Sequence, residues 1–138
     1  MNVIPLNLKT EDKVLYHKPC HDSLDSRGVE IIGEKLGCHA HYVPHCCSEA
    51  GTLALCRPNI ASNMRKKKTG ALQKALKEQN SDGLTLTNCP SCIQGLGKQK
   101  KAGINAEHTS VYAARKLGGE DWKKELSDLV KNYERVIF

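Results

Sequence analysis

Short β-forming segments alternate with helical periodicity along this chain. Three of those segments are followed within a few residues by a proline and at least one cysteine. Residues 13–17 read as a first strand, stopped by Pro19. Val29, Ile32, Gly33 and Leu36 then recur at helical spacing up to Gly37. Residues 40–43 make a second strand, stopped by Pro44. Leu53, Leu55 and Cys56 form an apolar turn before Arg57-Pro58-Asn59, which reads as a helix start. A long basic helix follows with Ile60, Met64, Leu72, Ala75 and Leu76, bent at Thr69-Gly70, and Asn80-Ser81-Asp82-Gly83 is a turn. Residues 84–87 are a third strand, and a helix opens at Cys89 and runs to Leu96. Residues 103–107 predict a fourth, short strand, and Thr109 caps a helix that Gly118-Gly119 ends. Trp122, Leu126, Leu129, Val130 and Tyr133 mark a last amphipathic helix. Strands alternating with helices predict an α/β fold: a small, mostly parallel sheet flanked by helices and joined by right-handed crossovers. With 138 residues, the reading is a lead-in over 1–12 and one domain over 13–138.

That topology gives the cysteines their meaning. Open parallel sheets bind ligands beyond the carboxyl ends of their strands. Cys20 follows the first strand, Cys46 and Cys47 the second, and Cys89 and Cys92 the third, so five thiols should meet at one edge. Each group also stands near a predicted helix N-terminus, where backbone N–H groups favour a thiolate. His17, His21 and His45 flank the same loops and can donate hydrogen bonds to sulfur or act as ligands. Five soft thiolates point to iron–sulfur first and zinc second, since zinc usually takes four ligands. A metal-free reading stays open, in which Cys89 and Cys92 act as a dithiol–disulfide pair. Seven cysteines, an odd number with no secretory leader ahead of them, predict a reducing, cytoplasmic setting rather than a disulfide scaffold. Cys38 and Cys56 read as small buried residues, His39 and His41 as structural, and His108 as a cap or packing residue. Asp22 and Glu49 read as capping residues.

The formal charge is +6, concentrated in Arg65-Lys66-Lys67-Lys68 and in Lys98, Lys100 and Lys101. No aromatic residue interleaves with these runs and no nucleic-acid motif surrounds them. They read as a solvated helix face that also offsets bound anionic charge, with no nucleic acid as partner. No apolar run approaches the roughly 20 residues of a membrane span.

Tyr16-His17-Lys18-Pro19-Cys20-His21, Cys46-Cys47-Ser48-Glu49-Ala50-Gly51-Thr52, Arg57-Pro58-Asn59-Ile60-Ala61 and Cys89-Pro90-Ser91-Cys92 come in the order and approximate spacing of a known domain. Over roughly residues 13–117 the chain resembles the cysteine-rich CCG domain. That domain occurs in heterodisulfide reductase, in the iron–sulfur subunits of glycolate oxidase and anaerobic glycerol-3-phosphate dehydrogenase, and in lactate-utilisation proteins. It also ends large FAD-linked dehydrogenases, which residues 108–122 resemble most. The resemblance implies a metal or iron–sulfur site held by Cys20, Cys46, Cys47, Cys89 and Cys92. In the heterodisulfide reductase branch such a set holds a non-cubane [4Fe–4S] cluster; other branches hold zinc or a different cluster. It further implies an electron-transfer domain or subunit of an oxidoreductase rather than a complete enzyme. Its partners would be a flavin-containing dehydrogenase that oxidises a 2-hydroxy acid such as lactate or glycolate, with FAD on that partner, and other iron–sulfur subunits. Ser48 stands where the motif has glycine, and Ala50 where glycine is common. A positive φ at 48 would therefore put Ser48 under strain.

Overall fold

A parallel strand pair cannot be closed by a tight turn, so each strand must be separated from the next by a crossover. A computed structural model, which describes residues 8–49 and 52–134, shows that solution at every step. The strands are β1 (Lys13–Tyr16), β2 (His39–Tyr42), β3 (Leu84–Thr87) and β4 (Asn105–His108). The helices are α1 (Gly28–Leu36), α2 (Leu53–Cys56), α3 (Pro58–Gln79), α4 (Pro90–Gly97), α5 (Thr109–Gly118) and α6 (Trp122–Glu134). The strands form one sheet in the order β2-β1-β3-β4, and every pairing is parallel. The chain leaves β1 for β2 on one side and returns to β3 on the other, so β1 and β3 flank the point where the winding reverses. None of the described helices is long and apolar enough to cross a membrane.

Alternation along β1 divides the core. Val14 and Tyr16 pack with Ile32, Leu36, Cys38, Leu86 and Tyr112 beneath α1 and α5. Leu15 packs on the opposite face with Val43, Leu72, Ala75, Leu96 and Ile104, beneath α3 and α4. A side-chain period of two places the next residue, His17, on the α3 and α4 face with Leu15. His17 also continues the ladder by donating its N–H to the Leu86 carbonyl at 2.9 Å, just as Val43 donates to Tyr16 at 2.9 Å. Both strands thus extend their pairing one residue beyond their regular ends, toward the cysteine loops.

Helix boundaries mostly follow local chemistry. Gly37 ends α1 in the left-handed conformation (φ 63°), and Asn80 does the same for α3 (φ 47°). Pro58 opens α3 at its first turn, where its missing N–H costs nothing. Residues 8–12 are stitched to the end of α1: Leu8 donates to Lys35 O, Thr10 Oγ1 to Leu36 O and Glu11 to Gly37 O.

Several sequence expectations are corrected. His108, not Thr109, is the N-cap of α5: its imidazole accepts the Ser110 N–H at 3.2 Å, and Thr109 is the first helical residue. Cys56 is exposed, because the four-residue α2 turns its apolar run outward. Lys68, assigned to a solvated face, is fully buried. α6 forms where its stripe predicts a helix, and along it Leu126, Leu129, Val130 and Tyr133 are exposed. The apolar segment 136–138 lies outside the described residues.

Candidate metal centre

The three cysteine loops leave the same edge of the sheet, at the carboxyl ends of β1, β2 and β3. Cys20, Cys47, Cys89 and Cys92 line one cavity of about 280 Å³, together with Pro19, His21 and Ser91. Cys46 lies off that lining but within reach of Cys20, whose thiol raises its pKa after burial has done so first. Four of the five cysteines expected to meet thus line one cavity, with Cys46 beside it. The expected helix N-termini are only partly so. Cys89 is the N-cap of α4, whereas α1 begins eight residues after Cys20 and α2 six residues after Cys47.

At the buried end of the site, Cys47 Sγ lies 3.3 Å from Cys92 Sγ. The His17 ring joins them: one ligand atom from each of His17, Cys47 and Cys92 falls within 4.8 Å of the other two, and all three residues are buried. His17 is 2% exposed, yet among the described residues neither ring nitrogen has a hydrogen-bond partner. Its ring sits by the Cys47 sulfur, whose pKa it helps to lower, and a buried imidazole so sparsely partnered is costly unless something further binds it. A nitrogen and two sulfurs at this spacing suit a borderline-soft metal. The residues present therefore fit a metal centre, and the three could hold one. Cys47 and Cys92 share a proton: the hydrogen bond from Cys92 pulls the Cys47 thiol well below its ordinary range, and the same contact pushes Cys92 up. One thiolate is ready, and the other must release a proton to bind a cation.

The loops are held from behind. Tyr16, the buried last residue of β1, shares its hydroxyl between Asp22 Oδ1 (3.4 Å) and Asn88 Oδ1 (3.3 Å), tying the Cys20 loop to the Cys89 loop. Asn88 Nδ2 donates to Asp22 at 3.2 Å and to Ser23 at 2.7 Å. Burial opposes the Asp22 charge, but N–H donors from Leu24, Asn88 and Ser26 outweigh it and hold the carboxyl below its usual range. Glu49 pairs with Lys98 Nζ at 2.5 Å, fastening the Cys46-Cys47 loop to the end of α4. Lys68 reaches up from α3 and donates to the Val43 and Pro44 carbonyls at 2.7 and 2.9 Å. Burial lowers its ammonium pKa to about 8, while the Cys47 thiolate, and Cys92 and Cys46 when ionised, act in the opposite direction.

Of the flanking histidines, His21 lines the cavity, while His45 is exposed with φ 73°. Cys38 is buried on the other side of the sheet, its thiol 3.7 Å from the Ile32 carbonyl and pushed up by burial to about 11. It is a packing residue, as its sequence context predicted. Of the three histidines named as possible ligands, His17 is the one that joins the buried thiols, whereas the burial of Lys68 was not foreseen. The signal for His17 was strand alternation carried one residue further. For Lys68 it was position: with Ala61, Leu72 and Ala75 it occupies the buried row of α3.

Ser48 has φ 65° and is fully buried, with no partner for its Oγ among the described residues. The left-handed backbone is the conformation that a glycine in the motif would adopt without strain. Ser48→Gly is therefore expected to stabilise the metal-free protein by about 1 kcal/mol and raise its melting temperature by a few degrees. Thermal unfolding followed by circular dichroism checks this; an unchanged or lowered midpoint would show that the serine is not strained.

Compared with family models, with curated proteins and with solved structures, the chain matches none, so its resemblance to the cysteine-rich domain rests on the motifs themselves.

Proposed function

We propose that this chain is an iron–sulfur electron-transfer domain of an oxidoreductase, of the kind its cysteine motifs resemble. Cys20, Cys46, Cys47, Cys89 and Cys92 would supply the thiolates. The observation that carries the reading is the cavity lined by four of these cysteines, drawn from loops far apart in sequence. A bound cluster would accept and pass on single electrons. Its potential would be set by burial and by hydrogen bonds to the sulfurs. This chain's own contribution is to present the thiolates on a rigid sheet edge and to shield the buried pair from water. Tyr16, Asp22 and Asn88 fix the spacing of two loops, and Lys98 with Glu49 fixes the third. The electrons would come from a flavin-containing dehydrogenase domain or subunit. There a 2-hydroxy acid loses two electrons and two protons to become a 2-oxo acid.

A second reading is favoured by a different observation. The compact His17, Cys47 and Cys92 group suits a single zinc ion, completed by one more thiolate from the cavity. Zinc would then stabilise the fold and the domain would serve as an interaction module.

Metal and sulfide analysis with a visible spectrum, on protein prepared and reconstituted without oxygen, decides between them. Iron with acid-labile sulfide and broad thiolate-to-metal absorption is the expected result. Stoichiometric zinc, with no iron retained after reconstitution, supports the second reading. Protein that retains neither metal, while Cys89 and Cys92 titrate as a redox couple, overturns both.

A further inference from the structure

Lys68 is the one lysine of the Arg65–Lys68 run that leaves solvent: Lys66 and Lys67 are exposed, whereas Lys68 is fully buried. It occupies a position in α3 where an apolar side chain would pack with Ala61, Leu72 and Ala75. Burying an ammonium is unfavourable unless hydrogen bonds and a facing anion offset the loss of water. Its described partners are two neutral carbonyls, Val43 O and Pro44 O. Among the described residues no carboxylate forms an ion pair with it. Two of its three N–H donors are thus used, and its charge has no acidic counterpart. The anion that acts on that charge is the Cys47 thiolate, and Cys92 and Cys46 would act the same way once they give up their protons to a metal. The two carbonyls belong to the turn that leads directly into Cys46-Cys47.

Charge counting gives this arrangement a purpose. A divalent ion held by three thiolates keeps one net negative charge, and a cluster held by five thiolates keeps more. In a buried site that surplus is unfavourable unless a cation stands beside it.

We propose that Lys68 is the resident counter-cation of the thiolate centre, offsetting its net negative charge from beneath while clamping the backbone that carries Cys46 and Cys47. This rests on the metal-binding reading, and it holds for iron–sulfur and zinc alike. Lys68 is a positioning and electrostatic residue and touches no electron donor or acceptor. Because an ammonium favours the more negative of two redox states, it would also raise the potential of a redox-active occupant.

Lys68→Met, Lys68→Gln and Lys68→Arg test it, with Co(II) as the probe, titrated in competition with a chelator under anaerobic conditions. Methionine removes both the charge and the donors, glutamine keeps a donor without charge, and arginine keeps both. The expected result is at least about tenfold weaker Co(II) binding in the Met and Gln variants and recovery toward wild type in Arg. In iron-loaded protein the Met and Gln variants should lower the midpoint potential by about 59 mV, a tenfold change in the one-electron equilibrium constant. Wild-type affinity and potential in both Met and Gln would overturn the proposal. So would full rescue by Gln, which would leave only the backbone clamp. If Met does not fold, as judged by its circular dichroism, the comparison of Gln with Arg decides alone. Wild-type protein that binds neither Co(II) nor iron overturns the metal reading itself. Wild-type protein that binds metal, with variants indifferent to position 68, overturns only the role of Lys68.

Discussion

Replacing Cys47 with serine is expected to abolish stoichiometric metal uptake, with affinity falling by at least about 100-fold. Changes in groups that merely orient ligands cost 10- to 100-fold, and Cys47 is placed to be a ligand itself. It is 2% exposed, lies 3.3 Å from Cys92 and belongs to the group that includes His17. A serine hydroxyl at that place is a hard, protonated donor that a soft metal does not favour. Cys56→Ser is the matched control, since Cys56 is exposed on α2, and its metal content should equal wild type. The pH dependence follows from the shared proton. Cys92 is held protonated by its bond to Cys47, and metal must displace that proton. Wild-type affinity should therefore rise as pH rises through neutrality, with net proton release on binding. Anaerobic titration with Co(II) in a weakly buffered solution measures affinity and protons together. Unchanged metal content in Cys47→Ser would remove this residue from the centre, and with it the main support for a metal at this edge.

The sequence made the edge legible but not its depth. Alternating strands and helices, with a proline and a cysteine closing each of the first three strands, are enough to bring Cys20, Cys47, Cys89 and Cys92 together. Parallel crossovers leave the strand-end loops little choice of side. What escaped was burial. Lys68 belongs by composition to a basic run, and only its place in the row of Ala61, Leu72 and Ala75 marks it as internal. His17 looked like one of three flanking histidines. Continuing the ladder to Leu86 O carried it under α3 and α4, while His45 stayed outside on a positive-φ turn. Cys56 failed the other way, because apolar neighbours in a four-residue helix do not guarantee a covering surface. Local pattern reads direction along a strand well. It reads poorly which polar side chains a fold will enclose, since that depends on which helices close over them.

Gly95 turns that enclosure into a test. It lies three residues after Cys92 in α4, on the same side of the helix, and is buried. A Cβ built there would meet Cys47 O at 2.7 Å, Glu49 Cβ at 3.1 Å and Cys47 Cβ at 3.2 Å. These neighbours are backbone or first-carbon atoms, so no rotamer change can clear the methyl group. Either α4 or the Cys46-Cys47 loop must move. For Gly95→Ala, helix propensity alone contributes about 1 kcal/mol of stabilisation. Overpacking against the loop costs about 1–3 kcal/mol. The net change in stability is modest, but the displacement falls on the 3.3 Å contact between Cys47 and Cys92. Metal affinity is therefore expected to drop by about tenfold or more, since ligand placement tolerates only about half an ångström of error. Gly95→Val should enlarge both losses. Gly70→Ala supplies the contrast: its Cβ meets nothing within 4 Å on α3, so it should gain about 1 kcal/mol and bind metal as wild type does. Urea unfolding of the metal-free proteins, paired with Co(II) titration, separates the two quantities. If Gly95→Ala binds metal like Gly70→Ala, the close seat of α4 against the cysteine loop does not set the geometry of the centre.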